Sequence, residues 1–590
     1  MRARHGVGLM LALGVSSAAC SGRLGEPVGA DPVTGGSGSG STGNGGGSVS
    51  DPDPFPSDPD DPVSGTPDCT VQAPSVPLTR LARAEYEASL RALVGDAPVN
   101  EVADLLATLP EDDLADEQAF SRQDQRVSDR HVEGQFRIAE AVAAAVADSN
   151  DARARVFGAC ARDPMDGTCL EGTLPDLLRR AYRRPPTSDE VEAARMAAST
   201  FDGAEAFEAA LFLSLMSPDF LYRFENRGQR REDGALTLTP HELASRLSFH
   251  FWGLPPDAEL AGAANDGSLV TEAGYRAQVE RLAADPRTEQ TLLAFFREWL
   301  HLDRGGFADS PRLDVLRDGM DVSGLAAAMR EEVEALLRHH LNDPDLTWTD
   351  ALTSRESFAT DPRVAEIYGV EPWDGSSPRP VLDSEERSGI LTRAGVLYTA
   401  DGSTNPFRRG AFVRKSLLCD PVSPPPADLP PGSLDTPEPQ PGISTREAFA
   451  GLVTDATCAD CHALFSDLGY ALEAYDGLGR FRTMERLVRA DGTEHGTAVV
   501  DAMVVPRIDF SDDRPTLNPA ELSERIAESP KANACLAERY LQFTLRKKPA
   551  AAEYCTVQRM ADRLDQGESL REALVAVAYE PSFRIRAVEN

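Results

Sequence analysis

The sequence predicts a mainly α protein: several consecutive helical modules behind a disordered N-terminal tether. Three observations predict it. From Leu78 onward apolar residues recur at i, i+3, i+4 and i+7, the spacing of one helix face. Few alternating, strand-like runs compete with that pattern. At 590 residues the chain is too long for one core, and roughly 100–200 residues per domain gives about three to five folding units.

The N-terminus, "MRARHGVGLMLALGVSSAAC", joins Arg2 and Arg4 to an apolar run from Val7 to Val15 and then to small residues. Residues 1–20 therefore predict a secretory signal, too short to span a bilayer. Cys20, directly after Ser17-Ala18-Ala19, resembles a lipobox cysteine that is lipidated and becomes the mature N-terminus; simple secretion is the other reading. Residues 21–76 are dominated by Gly, Ser, Pro and Asp, with no period of 2 or 3.6, so burial cannot offset their ordering entropy. They predict a tether with a reach on the order of 40 Å. An extracytoplasmic location follows, as a lipoprotein of the outer membrane or periplasm held to the membrane through a lipid anchor only.

Helical modules are expected at 77–158, beginning "LARAEYEASLRALVG", at 159–230, at 235–372 and at 510–590. In "LTPHELASRLSFHFWG", Thr239 and Pro240 read as an N-cap and first helical residue. "CDPVSPPPADLPPGSLDTPEPQPG" (419–442) is too proline-rich for helix or central strand. With 59 basic against 95 acidic residues the formal charge is −36, which opposes phosphate backbones, so no nucleic acid partner is expected.

The chemistry-bearing stretch is "DATCADCHALFSDLGYALEAYDGLGRFR" (455–482), within a module at 385–505 expected to be cytochrome c-like. Cys458, Cys461 and His462 have the C-x-x-C-H spacing of covalent haem attachment. On a helix these residues leave one face of a single turn, so two thiols reach the porphyrin vinyl groups while the imidazole reaches the iron. With nine Cys and nine His in the chain, chance produces the pattern roughly a few times per thousand chains of this length. A structural zinc site lacks a second ligand pair, and a thioredoxin-type dithiol lacks its strand–loop–helix setting. A disulfide between Cys458 and Cys461 stays open as an alternative.

The expected cofactor is a covalent haem c with His462 on the iron and Met503 or Met484 opposite, His495 being a further candidate. Gly469, Gly477 and Gly479 permit close approach to a flat macrocycle or serve turns. Arg480 and Arg482 suit haem propionates or ion pairs with Asp467 and Asp476. His339 and His340 suit a helix C-terminus, and His241, His250 and His301 read as core-edge histidines. Six other cysteines of an exported chain predict three bridges: Cys160–Cys169 and Cys535–Cys555 across local loops, and Cys69–Cys419 by elimination. No G-x-S-x-G, H-E-x-x-H or P-loop is present.

The order of motifs resembles a family of secreted bacterial proteins built from modules named only as domains of unknown function, that of domain of unknown function 1592 and its neighbours. "RLARAEYEASLRALVGD" and "LLRRAYRRPPTSDEVEAA" look like its first two modules, and "ELASRLSFHFWGLPPDAELAGAANDGSL" is similar to the large central one. "RSGILTRAGVLYTADGSTNPFRRGAFVRKSLLCDPVSPPPADLP" with "CADCHALFSDLGYALEAYDGLGRFR" is similar to a haem-type module, and 515–585 to the closing one. Two departures stand out: Phe465-Ser466 replaces Ile-Asp-Pro-like text, and His250 replaces an aromatic or apolar residue.

The resemblance implies an extracytoplasmic, mostly helical protein, often a lipoprotein, with a c-type haem at Cys458, Cys461 and His462, and supplies no reaction. Electron transfer with an unknown redox partner protein is the expected role. A non-haem scaffold of an extracellular polymer-degradation system, with a structural C-x-x-C disulfide, and a haem peroxidase or oxygenase are the alternatives.

Overall fold

The computed structural model describes residues 73–74, 78–114, 116, 118–163, 167–376, 378–425, 436–454 and 456–587. The expected signal, Cys20, Cys69 and nearly all of the tether lie outside them. Helix dominates the described residues, and none of their helices is long and apolar enough to cross a membrane.

Local sequence sets the helix starts. Helix Arg83–Val94 buries Tyr86, Leu90, Leu93 and Val94, the stripe marked by the 3.6 period. Thr239 caps helix Pro240–Phe251: its side chain accepts from Glu242 N, and Glu242 accepts from Thr239 N at 2.8 Å. Helices Ser188–Ala198 and Thr445–Ala450 open on the same reciprocal arrangement, from Thr187 and Ser444.

The apolar cores run across the expected modules. One joins Leu90, Val142, Leu178 and Leu211 with Phe249. A second collects Phe120, Phe295, Trp299, Trp348, Leu468, Tyr475, Tyr540 and Leu574. Each such fully buried side chain contributes about 1.5–3 kcal/mol. Short antiparallel strands tie distant segments: Thr79–Arg80 pairs with Tyr222–Arg223, and Leu236–Thr237 lies between Gln229–Arg230 and Ile585–Arg586. A hairpin, Met484–Val488 with Glu494–Val499, follows the C-x-x-C-H segment.

Buried charges stitch the same segments together. Glu85 receives Arg546 through both carboxylate oxygens, with Nη1 at 2.9 Å from Oε2, and Arg122 Nη2 at 3.1 Å. Burial pushes the Glu85 carboxyl up, but Arg546 and Arg122 outweigh it and hold it down at about 2. Beside this cluster Arg246 clasps Glu225, with Nε at 3.0 Å, and donates to Phe583 O and Ile585 O. Arg546 has φ 59° at the C-terminus of helix Pro530–Leu545.

Cys160 and Cys169 are bonded, with Cα atoms 5.7 Å apart. The expected Cys535–Cys555 bridge is not formed: Cys535 bonds Cys419, Cα–Cα 5.2 Å, which also removes the Cys69–Cys419 pairing. The reason is geometric. Cys535 lies inside helix Pro530–Leu545, on the side that meets Ser416, whose carbonyl its sulfur approaches at 3.3 Å. Cys555 sits on the next long helix, Tyr554–Asp565, and is disulfide-bonded, but not to Cys535.

Glu85→Ala leaves two guanidinium groups buried without their partner, and urea denaturation is expected to show a loss of about 3–5 kcal/mol. Because the folded carboxyl titrates near 2, below its ordinary range, its contribution is complete above about pH 4.5 and disappears as pH falls through about 2. Glu85→Gln therefore flattens the stability–pH curve within that window. Replacing both Cys419 and Cys535 by Ser is expected to cost about 2–4 kcal/mol in the same assay, since the bridge closes a long loop.

Candidate functional site

Cys458, Cys461 and His462 lie on one short helix, Ala456–His462. Both thiols are unbridged; Cys458 is half-buried and Cys461 exposed. A structural C-x-x-C disulfide is thus not formed. Three and four residues apart on a helix, the three side chains share one face.

His462 is fixed by what surrounds it. Its Nδ1 is 3.3 Å from Ser466 Oγ, and its ring packs on Phe407 at 4.1 Å and Phe465 at 4.8 Å between centroids. No described residue hydrogen-bonds Nε2. Burial pushes the imidazole pKa down, which favours the neutral form that ligates metals. Phe407 extends the apolar wall to Phe449, at 4.9 Å, and Tyr470, at 6.4 Å. Phe449 also lines a surface cleft with Arg312, Thr404 and Arg482, a cleft that Cys458, Cys461 and His462 do not line.

Two close helix contacts and two buried arginines hold this wall in place. Helix Pro406–Phe412 crosses helix Ser466–Ala471 so tightly that a Cβ on Gly410 would sit 2.0 Å from Phe465 O, and one on Gly469 1.7 Å from Pro406 O. Gly469 therefore serves helix packing, not approach to a macrocycle. Gly477 likewise abuts Gly402 O, and Gly479, at φ +81°, abuts Ala394. Arg409 donates to Leu472 O, Tyr475 O, Leu397 O and Asp476 O. Arg414 donates to Leu464 O, just past His462, and to Pro506 O, Arg507 O and Ile508 O.

The remaining expected residues divide. Met503, 53% exposed, lies on the loop after the hairpin; its carbonyl accepts from Arg446 Nη1 at 2.9 Å, and that guanidinium stands 5.3 Å over the Tyr470 ring. Met484, 48% exposed, opens strand Met484–Val488 opposite Val499. Neither methionine packs in a core. His495 Nε2 is enclosed without a hydrogen-bond partner among the described residues.

Arg480 pairs with Asp476 at 2.7 Å, whereas Arg482 pairs with Glu473 at 3.1 Å in place of the expected Asp467. His340 Nδ1 bonds Leu336 O within helix Leu325–Asn342. Among the described residues no group of three or more His, Cys, Asp or Glu is placed to hold a metal ion.

The donor set suits a covalent haem: two free thiols, one imidazole oriented through Nδ1 with Nε2 unengaged, and an aromatic wall beside them. Sequence reasoning missed Phe407, Ser466, Arg409 and Arg414. The signal for the arginines was the run "NPFRRGAFVRK", basic yet spaced by the apolar residues of a buried helix.

Five family models match the chain in tandem, each described as a protein of unknown function: DUF1587 over 79–148, DUF1595 over 169–225, DUF1592 over 238–370, DUF1588 over 387–485 and DUF1585 over 512–583. The model over 387–485, which contains the C-x-x-C-H helix, carries the cytochrome-type name PSCyt3. No curated protein and no solved structure matches the chain. The chain belongs to the multi-module family defined by these five domains of unknown function in succession, one of them cytochrome-like by name.

Proposed function

We propose that the chain is an exported c-type haem protein that passes single electrons, tethered to a membrane by lipid on Cys20. The observation that carries this reading is the pair of unbridged thiols beside an oriented imidazole on one helical turn. When bound, the haem supplies one-electron chemistry at its iron.

The chain's own residues have separate tasks. Cys458 and Cys461 would hold the porphyrin through their sulfurs. Ser466 orients the His462 ring through Nδ1, leaving Nε2 to face the iron. Phe407, Phe449 and Phe465 keep water from one side of that ring. Met503 would be the methionine to help hold the group, because its backbone is held by Arg446 against the Tyr470 edge of the same aromatic wall. The electron partner is another protein, met through the exposed side of the Cys461 turn.

Two measurements test this. Without haem maturation, iodoacetamide is expected to label two cysteines of the folded chain, exposed Cys461 faster than half-buried Cys458; a chain that takes no label, its C-x-x-C oxidised, contradicts the reading. With cytochrome maturation, intact mass is expected to rise by one porphyrin and to give a pyridine haemochrome, both lost in Cys458→Ala/Cys461→Ala. In the matured protein Met503→Ala is expected to create carbon monoxide binding in the reduced state, and Met484→Ala to leave the spectrum unchanged. Carbon monoxide binding by the unaltered protein would favour an open-site haem enzyme instead.

A further inference from the structure

Where the first, second, central and last modules meet, the chain forms a small, partly open cavity with about 20 Å³ of room for the centres of water-sized molecules. Four guanidinium groups line it, those of Arg122, Arg223, Arg246 and Arg546, each belonging to a side chain more than nine-tenths buried. Among the described residues only two carboxylates are bonded to them, Glu85 and Glu225. Of the next charges out, Glu298 faces Arg122, while Arg183 faces Asp219 as well as Glu85. Within the lining itself, four buried guanidinium groups against two bonded carboxylates leave two more positive than negative charges, where burial makes charge interactions strong.

The lining also holds polar atoms without a hydrogen-bond partner among the described residues. Arg223 gives one hydrogen bond, Nη2 to Glu225 Oε1 at 3.3 Å, and its Nε has no partner; His250 Nδ1 and Thr544 Oγ1 have none either. Such groups rarely stay unsatisfied. Burial, then the charge of Arg546, lower the Arg223 guanidinium to about 9. Burial, then Arg122 and Arg223, hold His250 near 3, so its ring is neutral. In both, burial is the larger cause and the neighbouring guanidinium charge the second.

We propose that this cavity is a binding site for one compact oxyanion, of sulfate or phosphate type, clasped by Arg223 with Arg122 and Arg546 and hydrogen-bonded by Thr544. Guanidinium forks match two oxygens of such an ion at once, which a spherical halide cannot offer. The walls come from four modules, so the ion acts as an internal fastener of the assembly, independently of any haem.

The test is calorimetric titration of the full chain with sodium sulfate and sodium phosphate, against sodium chloride at equal ionic strength, with melting temperature followed in parallel. One ion per chain is expected, with saturating stabilisation and an affinity at least about ten-fold above that for chloride. Arg223→Gln is expected to weaken binding at least about ten-fold. Thr544→Val keeps the side-chain shape and guards against loss of fold; it is expected to weaken binding while leaving the circular dichroism spectrum unchanged. A response that never saturates, that chloride reproduces, or that is identical in the unaltered chain and in Thr544→Val overturns the proposal.

Discussion

The carboxylate of Glu85 is the point on which the described structure closes. It sits on the first long helix, yet its partners come from residue 122 and from residue 546. Taking one carboxylate and two guanidinium groups out of water costs several kcal/mol per ion, and attraction recovers that only where the hydrogen bonds are nearly complete. Glu85 fulfils that condition with two-pronged contact to Arg546 and a third bond from Arg122. Hydrophobic contacts alone tolerate sliding; this cluster fixes one arrangement of the segments around it, and the strand pairs at Thr79–Arg80 and Ile585–Arg586 fall into register beside it.

The same device recurs around the candidate site at smaller scale. Arg409 and Arg414 point their guanidinium groups inward and spread them over backbone carbonyls at helix ends and in the loops beside them. Each carbonyl bonded in this way is one that a buried loop would otherwise leave unsatisfied. The two arginines therefore let irregular backbone on both sides of the C-x-x-C-H helix be buried, while the glycine-to-glycine crossing at Gly410 and Gly469 sets how close the supporting helices come. Position of the site is thus a property of the whole 385–505 segment and not of the motif alone.

Much of this was legible in the sequence, for reasons that can be named. Helices with one apolar face, such as Arg83–Val94, announce themselves by period, and caps such as Thr239 by residue type and spacing. The C-x-x-C-H turn was legible because its geometry is local: helical pitch alone brings the three side chains to one face. Cysteine pairing was legible only where it was equally local, at Cys160 and Cys169; Cys535 pairs across a sequence separation of 116 residues, which no loop-length argument reaches. Buried arginines were illegible because composition treats Arg as a surface residue, and Gly469 was misread because nothing near it in the chain reveals that Pro406 O lies against it.

Arg546 occupies a backbone conformation with φ 59°, the helix-ending position that glycine fills at least steric cost. Glycine there would relax the main chain and abandon Glu85. Keeping a long side chain at a strained corner makes the end of one helix depend on the beginning of another, more than four hundred residues earlier. Fraying at either terminus strips the other of its counterion, so the two ends melt together or not at all, and cooperativity spans the sequence where a string of independent beads would come apart one at a time.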